Sequence, residues 1–316
     1  MVQKLHSLRD KMLITSRIGR QYWIWKDDKL YDQRLARENG PYQARNLVMN
    51  RKCYPNARTI IDVGVNIGMN SIEYATWAKN TKGFEPMTGS LELAKLNIDI
   101  AKKAKLKGRY WNSKKQEIEH QPDRPDGWFK FVDGSFASLD LIGDIELFNV
   151  ALGNKNGQII MEEKTNECSR GDAVLQDGRE TKNPTQPIEM KKLDSYGFED
   201  VDVIKIDVEG SELWVIEGAT DTIDKYQPLV QVELRETHCK RFGYHPNDII
   251  DLMMSKGDYV MSDFNGNDLG TEYEKLSGVM DRFFIPRKIF NGLNIKKRVM
   301  PGMKKNKTTF EKLFQS

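Results

Sequence analysis

Two segments of the chain end an apolar, β-branched run in a carboxylate and a glycine, and each then opens a helical pattern. They are Ile60-Ile-Asp-Val-Gly-Val-Asn-Ile-Gly68 and, far downstream, Val203-Ile-Lys-Ile-Asp-Val-Glu-Gly210. Runs of this kind are strands buried on both faces, which belong to parallel sheets covered by helices. In such sheets ligands sit beyond the carboxyl ends of the strands. The first segment therefore predicts a glycine-rich turn against a nucleoside cofactor, and the second an acidic cluster facing a substrate.

The first turn, Asp62-x-Gly64-x-Asn66-x-Gly68, departs from the G-x-G-x-x-G dinucleotide fingerprint and lacks the Lys-Ser/Thr of a phosphate loop. With no phosphate to cradle, its glycines serve close backbone approach, at positions where a Cβ would be resisted. Asp62 is placed to accept from a cationic amino group or a water. Glu85, after the next run (Gly83-Phe-Glu-Pro86), is placed to accept from two ribose hydroxyls, the part played by the acid after the second strand in nucleotide-binding sheets.

Around these segments strands alternate with helices, which predicts an α/β, doubly wound, mostly parallel sheet. Strands are expected at 59–63, 82–85, 145–152, 158–162, 201–206, 229–234, 259–262 and 282–285. Helices are expected at 69–78, 91–105, 211–226 and 246–256. Residues 1–50 read as a basic N-terminal helical extension with an aromatic patch at Tyr22-Trp23-Ile24-Trp25. Residues 51–287 form the main domain, with an inserted excursion over 106–144 that lacks sustained periodicity. Residues 166–187 read as a polar loop beside the site, and 288–316 as a basic tail.

Composition narrows the function classes. Apolar residues make up 39% of the chain and charged residues 30%, with a net charge of +3, too small to imply a polyanion partner. No run approaches the ~18 apolar residues of a membrane span. The first twenty residues have no apolar signal core, and Cys53, Cys168 and Cys239 lack metal-ligand spacing. A reducing, cytoplasmic location with free thiols is the expectation.

The chain resembles the FkbM-type family of S-adenosylmethionine-dependent methyltransferases. The resemblance lies in Ile60 to Asn70, Gly83-Phe-Glu-Pro86, Leu96-Asn97, Asn149-Val-Ala-Leu-Gly153 with Gly157, and Lys192-Leu-Asp194. It continues through Val203 to Leu213, Glu217-Gly-Ala219 and Pro228-Leu-Val-Gln-Val-Glu233. Lys205-Ile-Asp-Val-Glu-Gly210 is the most specific string. The resemblance implies a class I methyltransferase (Rossmann-like) sheet of seven strands with an antiparallel last strand, and methyl transfer to oxygen. Carried over by position, it implies Asp62, Gly64, Asn66, Gly68, Glu85, Pro86 and Asn149 as cofactor-binding residues for S-adenosyl-L-methionine, and Asp207, Glu209 and Gly210 beside the transferred methyl. The second strand is unusually polar for the family, and residues 1–50 and 288–316 lie outside the match.

Methyl transfer to a hydroxyl needs alignment, exclusion of water and removal of a proton. Asp207 and Glu209 supply carboxylates at the strand end, and His238, in the loop after Glu233, is a candidate general base, histidine being the side chain that titrates near neutral pH. These three form the expected catalytic set. Lys205 is spaced to pair with Asp207. Glu212 also reads as a favourable charge at a helix start, and His245 is the weaker histidine. Asp207, Glu209 and Glu233 offer oxygen ligands for magnesium, but their spacing does not demand it, so no metal is assigned. Tyr22, Trp23 and Trp25 read as packing of the N-terminal extension.

The expected function is O-methylation of a small molecule, a glycan or a lipid-linked sugar. An RNA ribose or other nucleic-acid methyltransferase is the alternative, drawn from the basic tail. The Asp207-Val-Glu-Gly turn replaces the Asn/Asp-Pro-Pro-aromatic loop common in base N-methylation. A binding protein that keeps the fold without turnover is the alternative from another class. The acceptor and the oligomeric state are not specified by any motif.

Overall fold

The computed structural model describes residues 10–16, 20–26, 43–104, 141–163, 185–271 and 281–293, together with short strands at 109–112, 117–120, 128–130, 136–138 and 173–175. Twelve strands matter for the site: β1 (Lys11–Thr15), β2 (Gln21–Trp25), β3 (Thr59–Val63), β4 (Asn80–Phe84), β5 (Asp144–Phe148), β6 (Ala151–Leu152), β7 (Gly157–Glu163), β8 (Thr185–Lys191), β9 (Val201–Ile206), β10 (Leu229–Glu233), β11 (Tyr259–Ser262) and β12 (Asp281–Pro286). The helices are α1 (Ala44–Cys53), α2 (Met69–Tyr74), α3 (Thr88–Lys103), α4 (Glu212–Glu217), α5 (Thr220–Tyr226), α6 (Glu236–Cys239), α7 (Pro246–Ser255) and α8 (Arg287–Gly292).

Seven strands form the main sheet in the order β11-β12-β10-β9-β3-β4-β5. All neighbours pair in parallel except β12, which runs antiparallel to both β10 and β11. The chain order reverses between β3 and β9, so the crevice lies beyond the carboxyl ends of those two strands. Their periodicity explains the layers. Ile61 and Val63 of β3, with Ile204 and Ile206 of β9, pack on Val215, Ile216, Ile249, Ile250 and Met253 of one helical layer. Ile60 and Val203 face the other way, onto Leu47, Met49, Tyr74 and Trp77.

The polar second strand is confirmed at Asn80–Phe84, and Lys82 Nζ pairs with Glu146 Oε2 of β5 at 2.6 Å. Other expectations need correction. The N-terminal extension is not wholly helical: β1 and β2 form an antiparallel hairpin, with Leu13 opposite Trp23, and α1 follows it. Pairing decides this, because the register runs unbroken from Lys11 opposite Trp25 to Thr15 opposite Gln21. The run expected at 145–152 breaks at Asn149, and its second half, β6, joins a separate sheet in the order β6-β8-β7 followed by the strand at 173–175. The end of the expected polar loop is strand β8. It accommodates Pro187 because at that residue β8 pairs only with β7, reaching β6 at Met190 and Lys191. Elsewhere in that loop the description is limited to the strand at 173–175.

The single helix expected over 211–226 is two. A Cβ on Gly218 would lie 1.9 Å from the carbonyl oxygen of Gly153, so the junction is packed backbone to backbone. Asp194 then starts α5 from outside, its carboxylate accepting from the backbone N–H of Asp221 (3.0 Å) and Thr222 (2.9 Å) and from the Thr222 hydroxyl (2.7 Å). Of the expected basic tail, residues 294–316 lie outside the described residues, as does Cys168, while Cys53 and Cys239 are buried free thiols.

Candidate active site

The turn after β3 and the turn after β9 touch. Gly64 has φ +81°, and a Cβ there would lie 1.9 Å from the Asp207 carbonyl oxygen, so only glycine permits this approach. The Gly64 and Val65 amides donate to the Phe84 carbonyl at 3.0 and 3.1 Å, tying the turn to β4. Asn66 takes φ +51°, and its backbone N–H donates to Glu85 Oε2 at 2.7 Å. The other oxygen of Glu85 accepts from Met87 N–H at 2.9 Å. Asn149, immediately past β5, donates from Nδ2 to the carbonyls of Glu85 (3.0 Å) and Pro86 (2.8 Å). Gly68, at φ +88°, packs against Ala94 of α3. Asp62, Gly64, Asn66, Gly68, Glu85, Pro86 and Asn149 are thus gathered at one end of three adjacent strands.

A polar row crosses the sheet behind this turn. Gln231, Lys205 and Asp62 are neighbours in register on β10, β9 and β3. Lys205 Nζ donates to the Gly64 carbonyl at 2.9 Å and stands 3.3 Å from Asp62 Oδ1 and 3.8 Å from Asp207 Oδ2. Burial alone would lower the Lys205 pKa, but the charges of Asp62 and Asp207 outweigh it and raise the pKa instead. Asp62 Oδ2 accepts from Ser71 Oγ at 2.5 Å, so this carboxylate is held from two sides. Gln231 passes the row on, accepting from Asn50 Nδ2 of α1 at 2.8 Å and donating to Asp281 Oδ1 of β12 at 3.3 Å.

The acidic group lies beside this row. Asp207 keeps 29% side-chain exposure toward the crevice. Burial of its carboxylate, with the like charges of Glu233, Asp281 and Glu209 and against the pull of Lys205, pushes its pKa up to about 8. His238 stands between two carboxylates, Nδ1 3.5 Å from Glu233 Oε2 and Nε2 3.6 Å from Glu209 Oε2. Glu233 also takes Arg235 Nη2 at 2.9 Å. Burial would raise the Glu233 pKa, but His238 and Arg235 bring it below the usual value. Glu209 sits at φ +60°, a strained conformation for a residue with a Cβ, which turns its side chain back over this group.

Glu212 and His245 are held by backbone partners. Glu212 is buried and accepts from the backbone N–H of Val208 (3.2 Å) and Gly210 (3.1 Å), shaping the turn from within. His245 caps α7, its Nδ1 accepting from Asn247 N–H at 3.2 Å while its own N–H donates to Asp248 Oδ2 at 2.7 Å. Sequence reasoning missed Asp281, Asn50 and Tyr244. Tyr244 places its hydroxyl 2.8 Å from the Gly210 carbonyl. An apolar pocket opens beside Gly64, with Phe84, Pro86, Val150, Met190, Val208 and Trp214 among its walls. Among the described residues no group of three His, Cys, Asp or Glu is arranged to hold a metal ion, and no helix is long and apolar enough to cross a membrane.

The sheet order, the reversal between β3 and β9, and the inserted antiparallel β12 define a class I methyltransferase fold. The methyltransferase FkbM domain matches residues 62–261, and the chain belongs to that methyltransferase family. Among solved structures, a methyltransferase FkbM from Methylobacillus flagellatus KT is similar at 14% identity and a TM-score of 0.39, covering 72% of this chain. The chain spans 44% of that protein's length. A precorrin-8w decarboxylase from Methanobacterium thermoautotrophicum is 11% identical, with a TM-score of 0.35, coverage of 78% of this chain and 90% of that one. A precorrin-6y C5,15-methyltransferase from Geobacter metallireducens GS-15 is 10% identical, with a TM-score of 0.33 and coverage of 79% and 90%. No curated protein matches the chain.

Proposed function

We propose that the chain is an S-adenosylmethionine-dependent O-methyltransferase acting on a hydroxyl of an uncharged small molecule or glycan. The residues at the crevice fit the donor. Glu85 is fixed by the backbone N–H groups of Asn66 and Met87 at the end of β4, the position from which an acid accepts from ribose hydroxyls in nucleotide-binding sheets. The surface beside Gly64 and Pro86 is apolar, as a heterocycle's face requires, and Asn149 is hydrogen-bonded to the Pro86 carbonyl. The bound donor supplies an electrophilic methyl group on a sulfonium.

The rest falls to the chain, and the observation that carries the reading is the line Glu233–His238–Glu209. A hydroxyl must lose its proton as it attacks. In this reading His238 accepts that proton at Nε2, while the Glu233 carboxylate, 3.5 Å from Nδ1, stabilises the imidazolium by its charge. Glu209 and Asp207 hold the acceptor by hydrogen bonds. Glu209 and Glu233, flanking His238 at one end of the sheet, set carboxylates where a phosphate backbone would have to pass, which favours a neutral acceptor over RNA.

Calorimetry with S-adenosylmethionine tests the donor: binding by the wild type and its loss in Glu85→Ala is the expected result, and no binding by the wild type overturns the enzyme reading. Transfer of labelled methyl to a panel of hydroxylated acceptors tests the chemistry. Replacing His238 by Gln should cut kcat about 10²–10⁴-fold, the usual worth of general-base catalysis; a full rate in that variant would remove His238 from the role.

A further inference from the structure

The N-terminal hairpin lies outside the family match, yet its contacts converge on the glycine-rich turn. Asn97 of α3, fully buried, is the meeting point. Its Oδ1 accepts from the Trp23 backbone N–H at 2.6 Å, and its Nδ2 donates to the Trp23 carbonyl at 3.1 Å. The second hydrogen of the same Nδ2 goes to the carbonyl of Ile67, inside the turn, at 2.8 Å. One side-chain amide therefore receives both backbone polar groups of a hairpin residue and spends its remaining donor on the turn, leaving neither hydrogen free.

Packing follows the same route. Ile67 and Met69, on either side of Gly68, are buried in one apolar cluster with Tyr22, Ile24 and Trp25 of the hairpin and Leu93 and Ile98 of α3. A second anchor lies one turn further on. Arg20 Nε pairs with Glu73 Oε1 of α2 at 2.6 Å, and the Tyr22 hydroxyl donates to the same carboxylate at 3.3 Å. The hairpin thus grips the turn's far end and the helix it feeds, but makes none of the crevice contacts described above.

We propose that the hairpin is a brace for the glycine-rich turn, and that Asn97 is the positioning residue through which it sets the turn's affinity for the methyl donor. The affinity half of this proposal rests on the S-adenosylmethionine reading; the brace itself does not. Removing Asn97 frees the Ile67 carbonyl and Trp23 together. Asn97→Asp separates them, since a carboxylate still accepts from Trp23 N–H but cannot donate to Ile67.

The test uses the full chain with Asn97→Ala and Asn97→Asp. Amide hydrogen exchange without ligand reads Gly64, Val65 and Gly68, whose N–H groups donate to Phe84 and Val65 carbonyls. Faster exchange at these amides is expected in both variants, and at the Trp23 N–H in Asn97→Ala alone. With the donor, Kd and KM should rise about tenfold, the worth of one buried hydrogen bond, while kcat stays within about twofold. Wild-type exchange at the turn in both variants overturns the brace. So does exchange raised equally throughout the protein, which would make Asn97 a general stabiliser. A wild type that binds no donor defeats the functional reading, while the exchange data still decide the brace.

Discussion

Lys205 Nζ lies 3.3 Å from Asp62 Oδ1, and the two side chains are 2% and 0% exposed. A charge pair this deep is retained where both partners also meet other polar groups, and here Lys205 holds the Gly64 carbonyl while Asp62 holds Ser71. Lys205→Met removes the cation and leaves Asp62 buried beside Asp207 without a counter-charge. The expected loss is about 3–5 kcal/mol of unfolding free energy. Urea denaturation measures it, and a loss below about 1 kcal/mol would show that the pair contributes nothing net.

Asp207 gives a pH signature. Its folded-state pKa, near 8, stands above its unfolded value of 3.8. The folded protein therefore binds the extra proton between these values, and the stability from this group is full below pH 3.8 and lost as pH rises to 8. Glu233 acts in the opposite sense, its lowered pKa adding stability that disappears on acidification. Subtracting the stability profile of Asp207→Asn from that of the wild type isolates the first effect. The difference should fall steadily between about pH 4 and pH 8 and then level; a flat difference would mean that Asp207 titrates as an ordinary carboxylate.

Glu73 carries the hairpin's charged anchor. Arg20 reaches it through Nε at 2.6 Å and Nη2 at 3.3 Å, with both side chains buried. Glu73→Gln strands the guanidinium in an apolar cluster, at an expected cost of about 3–5 kcal/mol. The double variant Arg20→Met, Glu73→Leu should recover more than half of that loss in thermal unfolding. Failure to recover it would locate the damage in packing rather than in the orphaned charge.

Asp194 predicts a smaller effect. It caps α5 across 27 residues of sequence rather than from the preceding residue. Asp194→Ala should cost about 1–2 kcal/mol, as loss of a local N-cap does. Circular dichroism with chemical denaturation checks the figure, and an unchanged midpoint would mean that solvent replaces the cap.

What the sequence makes legible is what is local in it. β3 with its turn, β9 with Asp207 and Glu209, and the acid after β4 can each be read because strand, turn and carboxylate are contiguous, and the structure brings them together. The hairpin reads as helix because Tyr22-Trp23-Ile24-Trp25 is continuously apolar, and such a run carries no period until a partner strand exists. Strand β8 is hidden by Pro187, whose tolerance depends on which side of β8 is paired. The break at Gly218 is hidden because its cause, the Gly153 carbonyl, arrives from another sheet. Asp281 shows the limit most plainly: it becomes a neighbour of Glu233 only when β12 inserts between β10 and β11, a pairing fixed by the whole topology.

Glu85 has a kinetic consequence. Because its oxygens already hold the backbone of Asn66 and Met87, the turn is shaped before any ligand arrives. The conformational entropy of ordering that turn is therefore spent during folding rather than during binding. A ligand reaching this carboxylate meets a finished surface, so its association should be a single encounter limited by diffusion and orientation, with no slow phase from loop closure.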